Sequence, residues 1–125
     1  MAEFTTRVGV NIPDDSLSIS TLSGGNQQKV ILGRWLVKNP VILLLNDPMR
    51  GIDIGAKRDL YRLLVSLSEQ GVGIVMISTE VDELVELMDR VLVFRDGTLG
   101  TEIPRGDLTR ETLVASFFGD TKAVS

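Results

Sequence analysis

Short apolar runs and longer amphipathic stretches alternate along this chain and predict an alternation of strands and helices. Two apolar runs, at 41–45 and 73–77, are rich in branched residues and bounded by turn-forming residues, which is typical of buried strands covered on both faces. Apolar residues at helical spacing predict four helices: one following Ser23 and ending before Asn39-Pro40, one from Ala56 to about Gln70, one following Thr79, and one within 108–119.

A hairpin is expected near the end of the chain. The dipeptide Asp96-Gly97 separates an apolar run at 91–94 from the expected return strand at about 99–103, and Asp-Gly is a strong hairpin signal. The order helix, strand, helix, strand, helix, hairpin, helix predicts an α/β fold with a mainly parallel sheet flanked by helices and a C-terminal β-hairpin. The predicted organisation is a partly flexible leader at 1–20, one domain at 21–119 and a flexible tail at 120–125.

Several local signals refine these elements. Thr79 and Asp82 stand at capping-box spacing, and Gly119 follows the last helix where a C-cap glycine belongs. Trp35 is expected to pack the first helix against its neighbour. The apolar side of the last helix is expected to comprise Leu113, Val114, Phe117 and Phe118.

Composition and charge narrow the classes of function. Thirteen Lys and Arg against 17 Asp and Glu give a net charge of −4, which argues against a nucleic-acid-binding face. The chain has no Cys and no His, which excludes disulfides, Cys-based metal sites and a Ser-His-Asp triad. No apolar run is long enough to span a bilayer and no secretion signal is visible, so we expect a cytoplasmic protein.

The strongest chemical signal is the segment LSGGNQQ at 22–28. Its two glycines let the backbone approach a ligand, and a helix beginning there directs unpaired N–H groups and a positive dipole end at an anion. The hydroxyl group of Ser23 adds one donor. A simpler interpretation also fits the residues: Ser23 is an ordinary N-cap and the glycines supply flexibility.

The segment LSGGNQQKV resembles the signature motif of ABC-type ATPases, in the form typical of ribose- and galactose-type monosaccharide importers. VILLLNDP is similar to the Walker B strand of that family, RGIDIGAKRDLY to its D-loop and the following helix, and IVMISTEVDEL with MDRVLVFRDG to its switch strand, helix and hairpin. The resemblance covers Val10 to Gly119. It implies a partial P-loop NTPase domain, the C-terminal part of the second nucleotide-binding domain of such an importer.

This resemblance also implies roles for individual residues. The residues implied to contact nucleotide are Ser23, Gly24, Gly25, Gln27, Gln28 and Asp53. Asn46 stands at the position of the Asp that orders Mg²⁺, and Asp47 stands at the position of the catalytic Glu. Thr79 occupies the position of the switch histidine. ATP and Mg²⁺ are therefore the implied cofactors.

The chain departs from the family at the residues that carry the chemistry. No GxxxxGK[ST] motif occurs in it, so the lysine that grips the phosphates has no counterpart. Asn46 lacks the charge that favours Mg²⁺, and Asp47 is one methylene shorter than Glu. We expect weak or absent ATP binding and no hydrolysis by this chain alone. As alternatives, Asn46 and Asp47 cap a strand, and Thr79 and Asp53 cap helices.

Three classes of function fit these residues. The first is an ATPase component that supplies its signature motif to a nucleotide held by another cassette and assembles with membrane subunits at the inner face of the plasma membrane. The second is a binding module that docks on intact cassettes, and the third is a folded remnant without activity.

Self-association of the isolated chain is expected as well. The family places its phosphate-loop strand beside the strand at 73–77, and without that strand buried backbone groups lose partners. These backbone groups can regain partners in three ways: the strand at 73–77 pairs with the run at 91–94, with a leader strand at 7–11, or with a second copy of the chain.

Overall fold

The computed structural model describes residues 24–119, which divide into two compact units at Ile77/Ser78. The first unit contains α1 (Gly24–Leu36), β1 (Ile42–Asn46), α2 (Ile54–Glu69) and β2 (Gly73–Ile77). The second contains α3 (Val81–Leu87), β3 (Arg90–Arg95), β4 (Thr98–Pro104), a 3-10 helix (Arg105–Asp107) and α4 (Arg110–Phe118). This order confirms the predicted alternation and the α/β class. The predicted leader, the predicted tail and Ser23 lie outside the described residues.

The first unit is built on two parallel strands. β1 and β2 pair with Ile42 opposite Gly73 and Asn46 opposite Ile77, which confirms both apolar runs as strands and the parallel pairing. Within residues 24–119, this pair and the β3–β4 hairpin form two separate two-stranded sheets.

Side chains on one face of the β1–β2 sheet are exposed within residues 24–119, so the prediction that both strands are buried on two faces is wrong. Leu43 is buried, whereas Leu44 is 77% exposed and Val75 is 58% exposed. Strand side chains alternate between the two faces, and α2 packs against β2. The exposed side carries Ile42, Leu44, Val75 and Ile77.

Helix α2 buries the apolar side that its spacing predicts, whereas in α1 Ile31 and Trp35, which share the predicted helical spacing with Val30, are exposed. The buried aliphatic side chains are Val30 and Leu32 of α1 and Leu60, Leu64 and Leu67 of α2. α2 begins at Ile54, two residues earlier than predicted, because the Asp53 carboxylate caps it by accepting a hydrogen bond from the Ala56 N–H at 2.9 Å.

Aromatic side chains depart most from the predicted core. Trp35 is 58% exposed, and its ring lies 5.3 Å from the Lys38 ammonium group, so it does not pack α1 against a neighbour. In α4 the buried residues are Leu113 and Ser116, while Phe118 is 76% exposed. Because successive helical residues are rotated by about 100°, Phe118 lies opposite the side that Leu113 and Ser116 bury. Phe117 is exposed too, so the prediction that both phenylalanines belong to the buried side of α4 is wrong.

The second unit is a hairpin with helices packed on one side. Asp96 and Gly97 both have positive φ angles and form the predicted two-residue turn between β3 and β4. The pairing shifts register beside Val93, where Gly100 is the extra residue of a bulge. The buried cluster of this unit comprises Val91, Val93, Ile103, Leu108 and Leu113.

The ends of α3 and α4 differ in how well the sequence predicts them. Gly119 ends α4 in the left-handed region, as expected. α3 instead takes Glu80 as its N-cap without a side-chain cap bond, so the predicted Thr79–Asp82 capping box is wrong. The reason is local: the Ser78 hydroxyl oxygen accepts a hydrogen bond from the Glu80 N–H at 3.0 Å and organises this turn.

None of the helices within residues 24–119 has the length and apolar content that crossing a bilayer requires.

Candidate nucleotide-contact site

The N-terminus of α1 carries the glycines that the sequence singles out. Gly24 is exposed, Gly25 is buried, and Gln27 and Gln28 are half-buried. The first N–H groups of a helix have no acceptor within the helix, and α1 has no acidic residue in its first turn. This end of α1 therefore offers hydrogen-bond donors and a positive dipole end to an anion.

The start of α1 is packed directly against the segment that leads into α2. A Cβ atom on Gly25 would overlap the methyl group of Ala56, so only glycine permits this approach of the two helices. A Cβ atom on Gly24 would lie 3.7 Å from Ile52 Cγ2 and 3.8 Å from the Gly51 carbonyl oxygen. The structure thus brings the glycines of the predicted signature motif and the predicted D-loop together within the first unit.

One turn further along, an ion pair joins the same two helices. The side chain of Lys29 is 8% exposed, and its Nζ lies 2.8 Å from Asp59 Oδ2. The hydrogen bond from Lys29, followed by the Lys29 charge, lowers the pKa of Asp59, while burial opposes this shift. The charge of Arg62 contributes in the same direction, with its guanidinium nitrogen 3.9 Å from Asp59 Oδ1.

The two residues that the resemblance places at Walker B positions lie at the carboxyl end of β1. Asn46 is the last residue of the strand and is exposed. Asp47 follows with a φ angle of 43°, and its backbone N–H donates to the Ile77 carbonyl oxygen at 2.8 Å. The Asp47 carbonyl oxygen accepts from the Arg50 N–H at 3.1 Å, which turns the chain away from the sheet. Both residues therefore take part in ending the strand.

These two positions do not by themselves form a site that holds Mg²⁺. They offer one amide oxygen and one carboxylate, and no group of three His, Cys, Asp or Glu residues suited to a metal occurs in the described part of the chain. Mg²⁺ held through one or two carboxylates takes its other ligands from water and substrate phosphates. This sequence lacks the phosphate-binding loop that would place such phosphates here.

The remaining predicted site residues fall in different places. Asp53 lies beside the start of α1 and uses Oδ1 to cap α2, as its alternative interpretation expected. Thr79 is exposed and precedes α3 in the second unit, apart in sequence from every other predicted site residue. The sequence did not predict the Lys29–Asp59 pair, because Lys29 follows a run of polar residues and nothing in that pattern indicates that its side chain is buried.

The chain is similar to curated sugar-import proteins over most of its own length, although no protein-family model matches it. A ribose import ATP-binding protein of Mesorhizobium japonicum is 44% identical over 114 residues, which are 91% of this chain and 22% of that protein. A xylose import ATP-binding protein of Geobacillus kaustophilus is 44% identical over 117 residues, 94% of this chain and 23% of that protein. The chain thus spans less than a quarter of the length of these curated relatives.

Solved ATP-binding cassettes share the fold. A dimeric, post-hydrolysis structure of the cassette MJ0796 bound to ADP and Pi is 25% identical, with a TM-score of 0.72 over 83% of this chain and 45% of that one. A nucleotide-free cassette from an ABC transporter is 21% identical, with a TM-score of 0.78 over 93% of this chain and 47% of that one. Over about nine-tenths of its length the chain is similar to a part of the ATP-binding proteins of monosaccharide ABC importers, and its fold is that of about half of one ATP-binding cassette.

Proposed function

We propose that this chain supplies the signature motif of a monosaccharide importer to a nucleotide held by another cassette, and that it does not hydrolyse ATP alone. In this proposal the segment 21–119 is the C-terminal part of a second nucleotide-binding domain. Its partners are another cassette and the membrane subunits of the importer, at the inner face of the plasma membrane.

The observation that carries the proposal is the fixed position of the α1 N-terminus. Gly25 packs on Ala56 so closely that any side chain is excluded, and the Lys29–Asp59 pair holds the next turn. Gly24 stays exposed at the tip, where its N–H group can meet a ligand from outside the chain. A rigid donor group directed outward suits a nucleotide that arrives bound to a partner.

Each residue has a limited task in this arrangement. The backbone N–H groups at Gly24 and Gly25 and the hydroxyl of Ser23 donate to a phosphate, whose negative charge the α1 dipole stabilises. Gln27 and Gln28 follow these residues along α1 and add side-chain amide groups. Activation of water is not assigned to Asn46 or Asp47, since the first carries no charge and the second ends β1. Hydrolysis is left to the cassette that holds the nucleotide.

One observation favours the second candidate, a folded remnant or docking module without a nucleotide role. The Asp53 Oδ1 atom, which the resemblance assigns to nucleotide contact, accepts a hydrogen bond from the Ala56 N–H in the same chain. A carboxylate committed to capping a helix explains this residue without any ligand.

Association with a nucleotide-loaded cassette tests the proposal. The chain has no Cys, so Ser125→Cys gives a single site for a fluorescent label. Anisotropy would be measured with the Mesorhizobium japonicum ribose import protein, with and without a non-hydrolysable ATP analogue. We expect the nucleotide to tighten binding at least about tenfold, because phosphate charge is what the α1 N-terminus recognises.

A pair of matched variants separates the signature from general surface contact. Ser23→Ala removes one hydrogen bond to a charged phosphate and should weaken nucleotide-dependent binding by about 1.5 kcal/mol, or about tenfold. Ser68→Ala, on the exposed surface of α2, should leave binding unchanged. Binding that ignores the nucleotide would favour the docking module, and no binding at all would favour the remnant.

A further inference from the structure

The segment 51–56, called the support segment below, leads from the turn after β1 into α2 and packs against the start of α1. A Cβ atom on Gly24 would lie at ordinary contact distance from two of its atoms, 3.7 Å from Ile52 Cγ2 and 3.8 Å from the Gly51 carbonyl oxygen. A Cβ atom on Gly25 would overlap the methyl group of Ala56. The first two residues of α1 therefore pack on this one segment.

The Asp53 carboxylate organises the backbone of the support segment. Its Oδ1 atom accepts a hydrogen bond from the Ala56 N–H at 2.9 Å, and the Asp53 carbonyl oxygen accepts one from the Lys57 N–H at 2.9 Å. A Cβ atom on Gly55 would lie only 3.3 Å from Asp53 Oδ1, so a glycine there leaves room for the carboxylate. Asp53 thus fixes the position of Ala56, the residue on which Gly25 packs.

We propose that Ile52 and Asp53 are positioning residues of the segment 22–28, because through the support segment they fix where the first N–H groups of α1 point. This inference rests on the proposed function, since it explains how the donors that meet a partner's nucleotide are held. A donor contributes fully to binding a phosphate only when it is already held in place. In this role Asp53 acts through its hydrogen bond to Ala56, and its charge contacts no ligand.

Backbone relaxation of the 15N-labelled chain tests this positioning without any partner. In the unaltered chain the amides of Gly24 and Gly25 should have order parameters of about 0.85, the value of a rigid backbone. Both order parameters should fall toward about 0.6 in Ile52→Ala and in Asp53→Ala. Asp53→Asn should keep the rigid values, because Asn caps a helix as well as Asp does. Glycines that stay rigid in both alanine variants would overturn the proposal.

The anisotropy assay shows whether this rigidity affects recognition of the nucleotide. The measured quantity is the nucleotide-dependent gain, which is the ratio of the Kd values without and with the non-hydrolysable ATP analogue. Ile52→Ala and Asp53→Ala should each reduce a gain of about tenfold to about threefold or less. Asp53→Asn should retain more of the gain than Asp53→Ala does.

Two outcomes of this assay contradict the positioning role. Equal losses in Asp53→Asn and Asp53→Ala would show that the charge of the carboxylate contacts the ligand. Binding that weakens equally with and without the analogue in Ile52→Ala would show that the support segment touches the partner directly.

Two matched variants control for a general loss of stability and for a loss of exposed surface. Thr109→Ala removes the N-cap of α4, where the Thr109 hydroxyl oxygen accepts from the Thr112 N–H at 3.1 Å, so it removes a comparable cap in the second unit. Ile54→Ala shortens the same type of side chain at a position that is 74% exposed, whereas Ile52 is half-buried. Neither control should change the glycine order parameters or the gain, and a change as large as that in Ile52→Ala would refute the specific role of the support segment.

Failure of the proposed function is distinguishable from failure of this inference. Binding of the unaltered chain that ignores the nucleotide would contradict the proposed function, while the relaxation measurements would still decide whether the support segment orders the two glycines. A gain that is present in the unaltered chain and is kept by both alanine variants would contradict the positioning role alone.

Discussion

Replacing Asp59 by Asn leaves the ammonium group of Lys29 in its position between α1 and α2 without a carboxylate partner. The side chain of Lys29 is 8% exposed and that of Asp59 is 49% exposed, so one end of the ion pair is desolvated and the other reaches water. Lys29→Met is the complementary change, since it keeps the aliphatic stem of the side chain and removes the charge.

The exposed fractions of the Lys29 and Asp59 side chains determine how much stability each substitution is expected to cost. Removing one partner of a fully buried pair costs about 3–5 kcal/mol, whereas an exposed pair contributes about 0–1 kcal/mol. With one partner half-exposed and screened by solvent, we expect Asp59→Asn to cost about 2 kcal/mol. Lys29→Met should cost about 1 kcal/mol or less, because no unpaired charge remains buried. The double variant should resemble Lys29→Met.

Urea unfolding followed by tryptophan fluorescence measures these differences. Trp35 is the single tryptophan of the chain and lies on α1, so its signal reports the first unit. A loss of about 2 kcal/mol corresponds to a midpoint lowered by about 1 M in urea. If Lys29→Met proves as costly as Asp59→Asn, or more so, the assignment of Lys29 as the desolvated partner is refuted.

The Lys29–Asp59 ion pair also makes the stability of the chain depend on pH. Lys29 lowers the pKa of Asp59 in the folded chain, so the unfolded chain binds the proton more tightly. The stabilisation from this carboxylate is complete above its unfolded pKa of about 3.9 and is lost as pH falls through the lower folded value. The stability difference between the unaltered chain and Lys29→Met should therefore shrink below that pH, as urea titrations at several acidic pH values would show.

Three further outcomes follow from the site. Titration calorimetry of the chain with Mg-ATP should show no binding at low micromolar affinity, and such binding would overturn the dependence on another cassette. Asn46→Asp combined with Asp47→Glu should not produce phosphate release above background, because no phosphate-loop lysine positions the γ-phosphate. Gly25→Ala should destabilise the chain by about 1–3 kcal/mol through overlap with Ala56, while Gly106→Ala, which meets no neighbouring atom, should change stability little in the same urea assay.

The strands and helices were predictable because their signals are local. The branched apolar runs of β1 and β2, the Asp96-Gly97 turn and the glycine after α4 each determine nearby backbone geometry. The exposure of individual side chains was not predictable from the sequence, because it depends on which other elements pack against each strand or helix. Leu44 and Trp35 are large apolar residues of the kind that usually lie in a core, yet both are exposed in this chain.

The candidate site was predictable only at the level of its motif. The glycines of the segment 22–28 indicated an anion-binding helix start, and the structure adds the contact that explains one of them, Gly25 against Ala56. Lys29 and Asp59 are 30 residues apart, and no spacing rule connects two helices across a loop and a strand. Thr79 was assigned as a cap by spacing alone, whereas Ser78 organises that turn through its own hydroxyl.

Mapping where a nucleotide's terminal phosphate contacts this chain would test whether the segment 22–28 binds a nucleotide held by another cassette. An ATP analogue with a photoreactive group on its γ-phosphate would be irradiated with the chain and the Mesorhizobium japonicum ribose import protein, and the labelled peptides identified by mass spectrometry. We expect labelling of the chain within residues 22–28, and only when the second cassette is present. Labelling around Asn46 and Asp47, or equal labelling of the chain alone, would contradict it.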